Sequence, residues 1–138
     1  SKFIKSLSFK ELKSFTKITI EKEFWEIFKE NIDTFDDLSE WLEIVYEGKH
    51  SNQKIILATE LFDLLCESLP NEINSGTWSK WTQKILKNFE IKSKDLYVNL
   101  RMLLTGKKYG PSMNQLLTLL DRDEIIKRIN LNCEKTTN

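Results

Sequence analysis

Between Arg101 and Pro111 the sequence RMLLTGKKYGP sets an arginine, two adjacent lysines, a tyrosine and two glycines in one short stretch. The guanidinium of Arg101 is a planar fork of donors that matches either a base edge or a phosphate. Lys107 and Lys108 attract phosphate regardless of sequence, and Tyr109 offers a face on which a base can stack. Gly106 supplies a helix stop, and Pro111 opens a following helix whose first N–H groups form a further anion site. Ser112 is expected to occupy part of that site as the helix cap, in a capping box with Gln115. These residue types suit contact with nucleic acid. On their own they suit blander roles equally: Arg101 in a surface salt bridge, Lys-Lys-Tyr-Gly as a solvated turn.

No other constellation in the chain carries chemistry. GxGxxG, GxxxxGKS/T, GxSxG and HExxH are all absent, and the single histidine, His50, lies in a polar turn with no cysteine near it in sequence. Cys66 sits in an apolar pattern and Cys133 in a polar one, so neither a disulfide framework nor a metal cluster is expected, and a reducing, cytoplasmic setting fits. Asp36 and Asp37 are adjacent, diverge by about 100° on a helix, and read as a solvated first turn. Trp78 and Trp81 could stack on bases, but their spacing with Ile85 and Phe89 places them in a core. No run approaches the roughly 18 apolar residues of a membrane span.

Helices must position these residues. The chain has 138 residues, 40% of them hydrophobic, with four Trp and eight Phe, enough to fill the core of one ordinary domain. Gly and Pro are scarce and apolar residues recur at three and four, which predicts an all-α fold of about seven short helices in two packed lobes. Ser8 with Glu11 begins the first helix, Ile20, Phe24, Ile27 and Phe28 stripe the second, and Thr34 with Asp37 caps the third. In the third, Leu38, Trp41, Leu42 and Val45 point inward and Gly48 is the stop. The fourth is expected from about Asn52 to Leu69, ended by Pro70, with Asn71–Gly76 as linker. The fifth begins near Thr77, the sixth covers Leu96–Leu104, and two short helices follow, the second capped by Asp121 with Glu124. The resulting division is an acidic lobe over 1–70, a lobe carrying the basic turn over 71–132, and a tail over 133–138.

The formal net charge of zero conceals an asymmetry. Ten acidic residues stand between Glu21 and Glu47 against Lys22 and Lys29, whereas Lys92, Lys94, Arg101, Lys107 and Lys108 face only Asp95 between Lys92 and Lys108.

Joined to SMNQLLTLLDRDEIIKRI, the order of helix, Leu-Thr-Gly, two basic residues, Gly-Pro and two short helices resembles the C-terminal end of bacterial-type glutamyl-tRNA synthetases. The resemblance is specific from about Trp78 to Ile129 and loose before that. It implies a helical anticodon-binding cage whose partner is a tRNA anticodon loop, where splayed bases need stacking surfaces, edge hydrogen bonds and positive charge. Leu100, Arg101, Leu104, Thr105 and Gly106 match the family's Leu-Arg-x-x-Leu-Thr-Gly pattern, whose arginine serves at the anticodon loop. The implied RNA-binding set is therefore Arg101, Thr105, Lys107, Lys108, Tyr109 and Ser112, with Asn31 as a more distant member.

Asn31-Ile32-Asp33-Thr34-Phe35 stands where the family can carry an arginine ahead of an apolar-Asp-Thr-Leu-like run. In the family that arginine helps to exclude one choice of the third anticodon base. Asn31 is shorter and neutral, which leaves relaxed or altered discrimination between glutamate and glutamine tRNA open; an equal reading is an asparagine that ends a helix. Asp121 likewise stands where the family often has glycine, and tolerates the same backbone.

The family's catalytic half carries His-Ile-Gly-His-like and Lys-Met-Ser-Lys-Ser-like signatures for ATP, and neither occurs here. The resemblance thus implies a non-catalytic part of a glutamate–tRNA ligase that holds no cofactor itself, with ATP and Mg used by the parent enzyme. Ser1 at the start fits an excised fragment, as it fits processing. The expected partners are tRNA and the catalytic domain of the same chain, with no membrane, in a cytoplasmic monomer. A competing reading is a helical protein-interaction domain that uses the acidic Glu21–Glu47 face against a basic partner.

Overall fold

The computed structural model describes Ser8, Lys10, residues 20–51 and residues 53–136. Those two residues apart, the expected first helix lies outside the described residues. Among them the chain forms seven α-helices and two short strands: α1 (Lys22–Phe28), α2 (Phe35–Glu47), β1 (Ile55–Ala58), α3 (Thr59–Ser68), α4 (Thr77–Asn88), α5 (Ser93–Thr105), α6 (Met113–Leu116), α7 (Arg122–Asn132) and β2 (Cys133–Thr136). Single 3-10 turns at Lys29–Asn31 and Leu117–Leu119 extend α1 and α6. No helix is long and apolar enough to cross a membrane among the described residues.

The helix ends follow the local chemistry. Thr34 Oγ1 accepts from the Asp37 N–H at 3.1 Å and Asp37 Oδ2 accepts from the Thr34 N–H at 3.2 Å, closing the expected capping box of α2. Asp121 caps α7 by accepting from the Glu124 N–H at 2.7 Å. Phe24, Trp25 and Phe28 of α1 are buried, with the Phe24 and Phe28 rings stacked at 4.5 Å. The inward face of α2 is Leu38, Trp41, Ile44 and Val45, so Ile44 takes the place expected of Leu42.

Trp81 is fully buried and Trp78 nearly so, as their spacing predicts; the Trp81 indole N–H donates to the Leu65 carbonyl at 2.9 Å. That bond joins α3 to α4 across Asn71–Gly76. The segment is a tight turn, tied by Thr77 Oγ1 to the Glu72 carbonyl and by Asn74 Oδ1 to the Gly76 N–H. The buried apolar residues of both expected lobes form one core, running from Ile20 and Phe24 to Ile125 and Ile129.

Two expectations are corrected. The fourth helix does not begin at Asn52: Ile55–Ala58 is a strand, and helix starts only at Thr59. The expected tail is its partner, since Cys133–Thr136 pairs with it in parallel, Ile55 opposite Cys133 and Ala58 opposite Thr136. Ile55 and Ala58 lie three apart and fit a helical stripe, but the run Ile-Ile-Leu-Ala opens with two β-branched isoleucines and finds a ladder partner far along the chain. Arg128, only 4% exposed, fastens the assembly from α7. It donates to the Val45 carbonyl at 2.8 Å, the Leu104 carbonyl at 3.0 Å and Glu124 Oε2 at 2.7 Å, so one side chain satisfies carbonyls at the ends of α2 and α5.

Candidate nucleic-acid interface

Helix α5 buries Leu96, Leu100, Leu103 and Leu104, which leaves Tyr97 and Arg101 on its flank, one turn apart. The helix ends at Gly106, whose φ of 72° lies in the left-handed region that favours glycine, and whose N–H bonds back to the Met102 carbonyl at 2.8 Å. A Cβ there would also stand 3.1 Å from the Ser51 nitrogen and 3.2 Å from the His50 ring. His50 reaches the same helix end, with Nε2 2.5 Å from the Met102 carbonyl and Nδ1 2.6 Å from the Ser51 carbonyl. Both contacts are hydrogen bonds together only when both ring nitrogens carry protons.

Thr105 is 1% exposed. Its hydroxyl donates to the Arg101 carbonyl at 2.8 Å and accepts from the Lys107 N–H at 3.0 Å. Thr105 therefore shapes the turn from within, with its hydroxyl engaged by the chain's own backbone. Lys107 is half-exposed and paired with Glu40 of α2. Lys108 and Tyr109 project outward, Tyr109 with 84% of its surface exposed. Among the described residues Lys108 has no ion pair.

Arg101 is half-buried, and that burial lowers its pKa below the usual arginine value. Its Nη1 donates to the Pro111 carbonyl at 3.0 Å, so the arginine holds the far side of the turn it precedes. The surface salt bridge weighed for it is not formed among the described residues. Gly110 passes between Arg101 and Trp41: a Cβ on it would lie 3.0 Å from Arg101 Nη1 and 3.0 Å from the Trp41 ring. Trp41 in turn packs on Phe28 at 4.8 Å, and the 3-10 turn that follows Phe28 ends at Asn31, which is exposed. The acidic half is thus the floor under the basic turn.

Beside Arg101 lies a groove of about 250 Å³, lined by Trp78, Tyr97, Val98, Arg101, Ser112, Met113 and Asn114. Its wall is aromatic: Trp78 and Tyr97 stand 5.9 Å apart, and Tyr97 keeps 40% of its surface open. Ser112 is exposed at its rim and makes no side-chain cap; its backbone carbonyl accepts instead from the N–H groups of Gln115 and Leu116. The expected Ser112–Gln115 capping box is not formed: α6 is a single turn, and the exposed Ser112 leaves its side chain out of the cap. Sequence reasoning missed Tyr97, Val98, Asn114 and the supporting Trp41. The four-residue interval from Tyr97 to Arg101 on one helix was the available signal. A stacking face, an arginine with donors left over, open polar groups and an outward lysine make a surface able to hold an unpaired base beside a phosphate.

Comparisons with known proteins place the chain in a family. Residues 5–132 match the family model of the anticodon binding domain. The chain is 34% identical over 108 residues to glutamate–tRNA ligase 1 of Wolbachia sp. subsp. Brugia malayi (strain TRS), covering 78% of this chain and 24% of that relative. It is 35% identical over 133 residues to glutamate–tRNA ligase 1 of Rickettsia bellii (strain OSU 85-389), covering 93% and 30%. With glutamate–tRNA ligase 2 of Bartonella bacilliformis (strain ATCC 35685 / KC583 / Herrer 020/F12,63) the identity is 32% over 140 residues, covering 95% and 30%. The chain therefore spans 24–30% of the length of these relatives. The family match reaches back through the acidic half to residue 5, far ahead of the Trp78 at which the sequence resemblance becomes specific. The chain belongs to the anticodon-binding-domain family.

Proposed function

We propose that this chain binds the anticodon loop of a tRNA and serves as the anticodon-binding part of a glutamate–tRNA ligase. The observation that carries the reading is the half-buried Arg101 guanidinium, fixed on Pro111 at 3.0 Å and opening on the Tyr97 groove. An arginine held in one place spends less side-chain freedom on binding than a mobile one. Lys108, Tyr109 and Ser112 extend the contact surface, while Thr105 supports it from within. We assign the charging of tRNA with glutamate to the parent enzyme, with its catalytic domain on the same chain, in a cytoplasmic monomer. ATP and Mg belong in this reading to that other part, since these residues include no phosphate-cradling motif. Asn31 is proposed to set the choice between glutamate and glutamine tRNA.

The test is titration of glutamate tRNA into the wild-type chain and Arg101→Ala across several salt concentrations. The expected loss is about 1–3 kcal/mol, roughly 5- to 150-fold in affinity. Near-ultraviolet circular dichroism checks that the tryptophan environment survives the substitution. Equal binding by both proteins at every salt concentration would remove the role given to Arg101. No response to glutamate tRNA or an unrelated RNA would favour the protein-interaction reading.

A further inference from the structure

Helix α3 and strand β2 are joined by a ladder of contacts. The Thr59 hydroxyl donates to the Thr136 carbonyl, and the Lys135 ammonium lies 4.4 Å above the centre of the Phe62 ring. The helix therefore starts where the strand ends, and the two run in opposite directions. Phe62 and Cys66 are four apart on α3 and share a face; Cys133 and Lys135 are two apart on β2 and share a face. With Phe62 under Lys135, the next rung down brings Cys66 to Cys133. Both cysteines are part-buried and free, both pack against the core, and Cα atoms of the two elements come within 8 Å. Beyond their shared burial, each thiol is influenced by Lys135, and Cys133 by the charge of Cys66.

We propose that Cys66 and Cys133 form an oxidation-responsive dithiol, closed to a disulfide by a small-molecule disulfide of the glutathione class. In the first step one protein thiol gives up its proton, and its sulfur attacks the small disulfide. A mixed disulfide forms and one glutathione thiolate leaves, taking up that proton. The second protein thiolate then attacks the protein sulfur of the mixed disulfide, and the second glutathione leaves as a thiol. Both cysteines are oxidised and one glutathione disulfide is reduced to two thiols. Disulfide geometry needs Cα separations of roughly 4.4–6.8 Å, and β2 has one ladder neighbour among the described residues, which leaves its other edge free to adjust. Burial raises both thiols above the ordinary cysteine value, so the reaction should accelerate with rising pH. The sequence separation of the pair hides it, because strand β2 is what brings Cys133 back.

The experiment treats the whole chain with oxidised glutathione and reads peptide masses without reduction, with Cys66→Ser and Cys133→Ser in parallel. The expected product in wild type is one peptide pair joined through Cys66 and Cys133, lighter by two hydrogens, with a raised Tm that dithiothreitol reverses. Each single variant should keep glutathione on its remaining cysteine. Wild-type protein that keeps a glutathione on each cysteine, links only between molecules, or retains both thiols would overturn the proposal. Because no arm involves RNA, failure here is separate from failure of the tRNA reading.

Discussion

The carboxylate of Glu40 on α2 pairs with the ammonium of Lys107, the first basic residue of the turn after α5. Acid and base that look segregated in sequence meet at the basic turn. The pair is half-exposed at both ends, so its contribution to stability is below about 1 kcal/mol and its main effect is on the field. Glu40→Gln should release Lys107. Glutamate tRNA should then bind more tightly at low salt, with the dependence of log K on log salt steepened by about one unit. An unchanged salt slope would show that Lys107 does not reach phosphate.

Gly110 makes a different demand. Its Cα runs close over Trp41 and Arg101, and a methyl group there meets both at 3.0 Å. Gly110→Ala should displace the guanidinium from Pro111 and cost about 1–3 kcal/mol of stability, read by urea unfolding, with weaker tRNA binding besides. Tyr109→Ala is the contrast, because its ring is 84% exposed. Stability should hold while tRNA affinity falls by about 1–3 kcal/mol if a base stacks on it. Two variants that behave alike would refute the division between a supporting glycine and a contacting tyrosine.

The helical skeleton was readable from the sequence because its signals are local. Leucines at three and four, Thr34 with Asp37, Asp121 with Glu124 and Gly106 each act within a turn or two. What escaped is long-range. Ile55–Ala58 becomes a strand only because Cys133–Thr136 returns to pair with it, and a stripe at three cannot register that. In the site, the sequence pointed to Arg101 and its turn, which the fold brings to one surface, but gave no sign that the Thr105 hydroxyl is engaged within the chain. A hydroxyl one residue before a glycine stop is most easily satisfied by its own backbone. Tyr97 was overlooked because the leucine stripe claimed the helix, although it lies one turn from Arg101.

Arg128 carries the largest expected effect on the fold. Its guanidinium is buried and serves the Val45 and Leu104 carbonyls, while Glu124 remains partly open to water. Arg128→Met keeps most of the apolar stem and removes the donors, leaving two buried acceptors without them. A loss on the order of 3 kcal/mol is expected from urea unfolding, with the Thr105–Pro111 turn loosened because Leu104 precedes it directly. A loss below about 1 kcal/mol would mean that water replaces the guanidinium at no cost.

Tyr46 sets the response to alkali. Partial burial of its phenol, followed by the neighbouring Glu21 carboxylate, pushes its pKa from the ordinary 10.0 to about 12. The folded state therefore prefers the protonated phenol more strongly than the unfolded chain does. The stabilisation from that preference is fully present below about pH 10 and is lost as pH rises toward 12. The informative quantity is the difference between wild type and Tyr46→Phe. Unfolding free energy measured from pH 8 to 12 should fall more steeply in wild type, because phenylalanine keeps the ring against Phe24 without the titrating oxygen. Parallel curves would place the Tyr46 hydroxyl in ordinary solvent, with Glu21 exerting no influence on it.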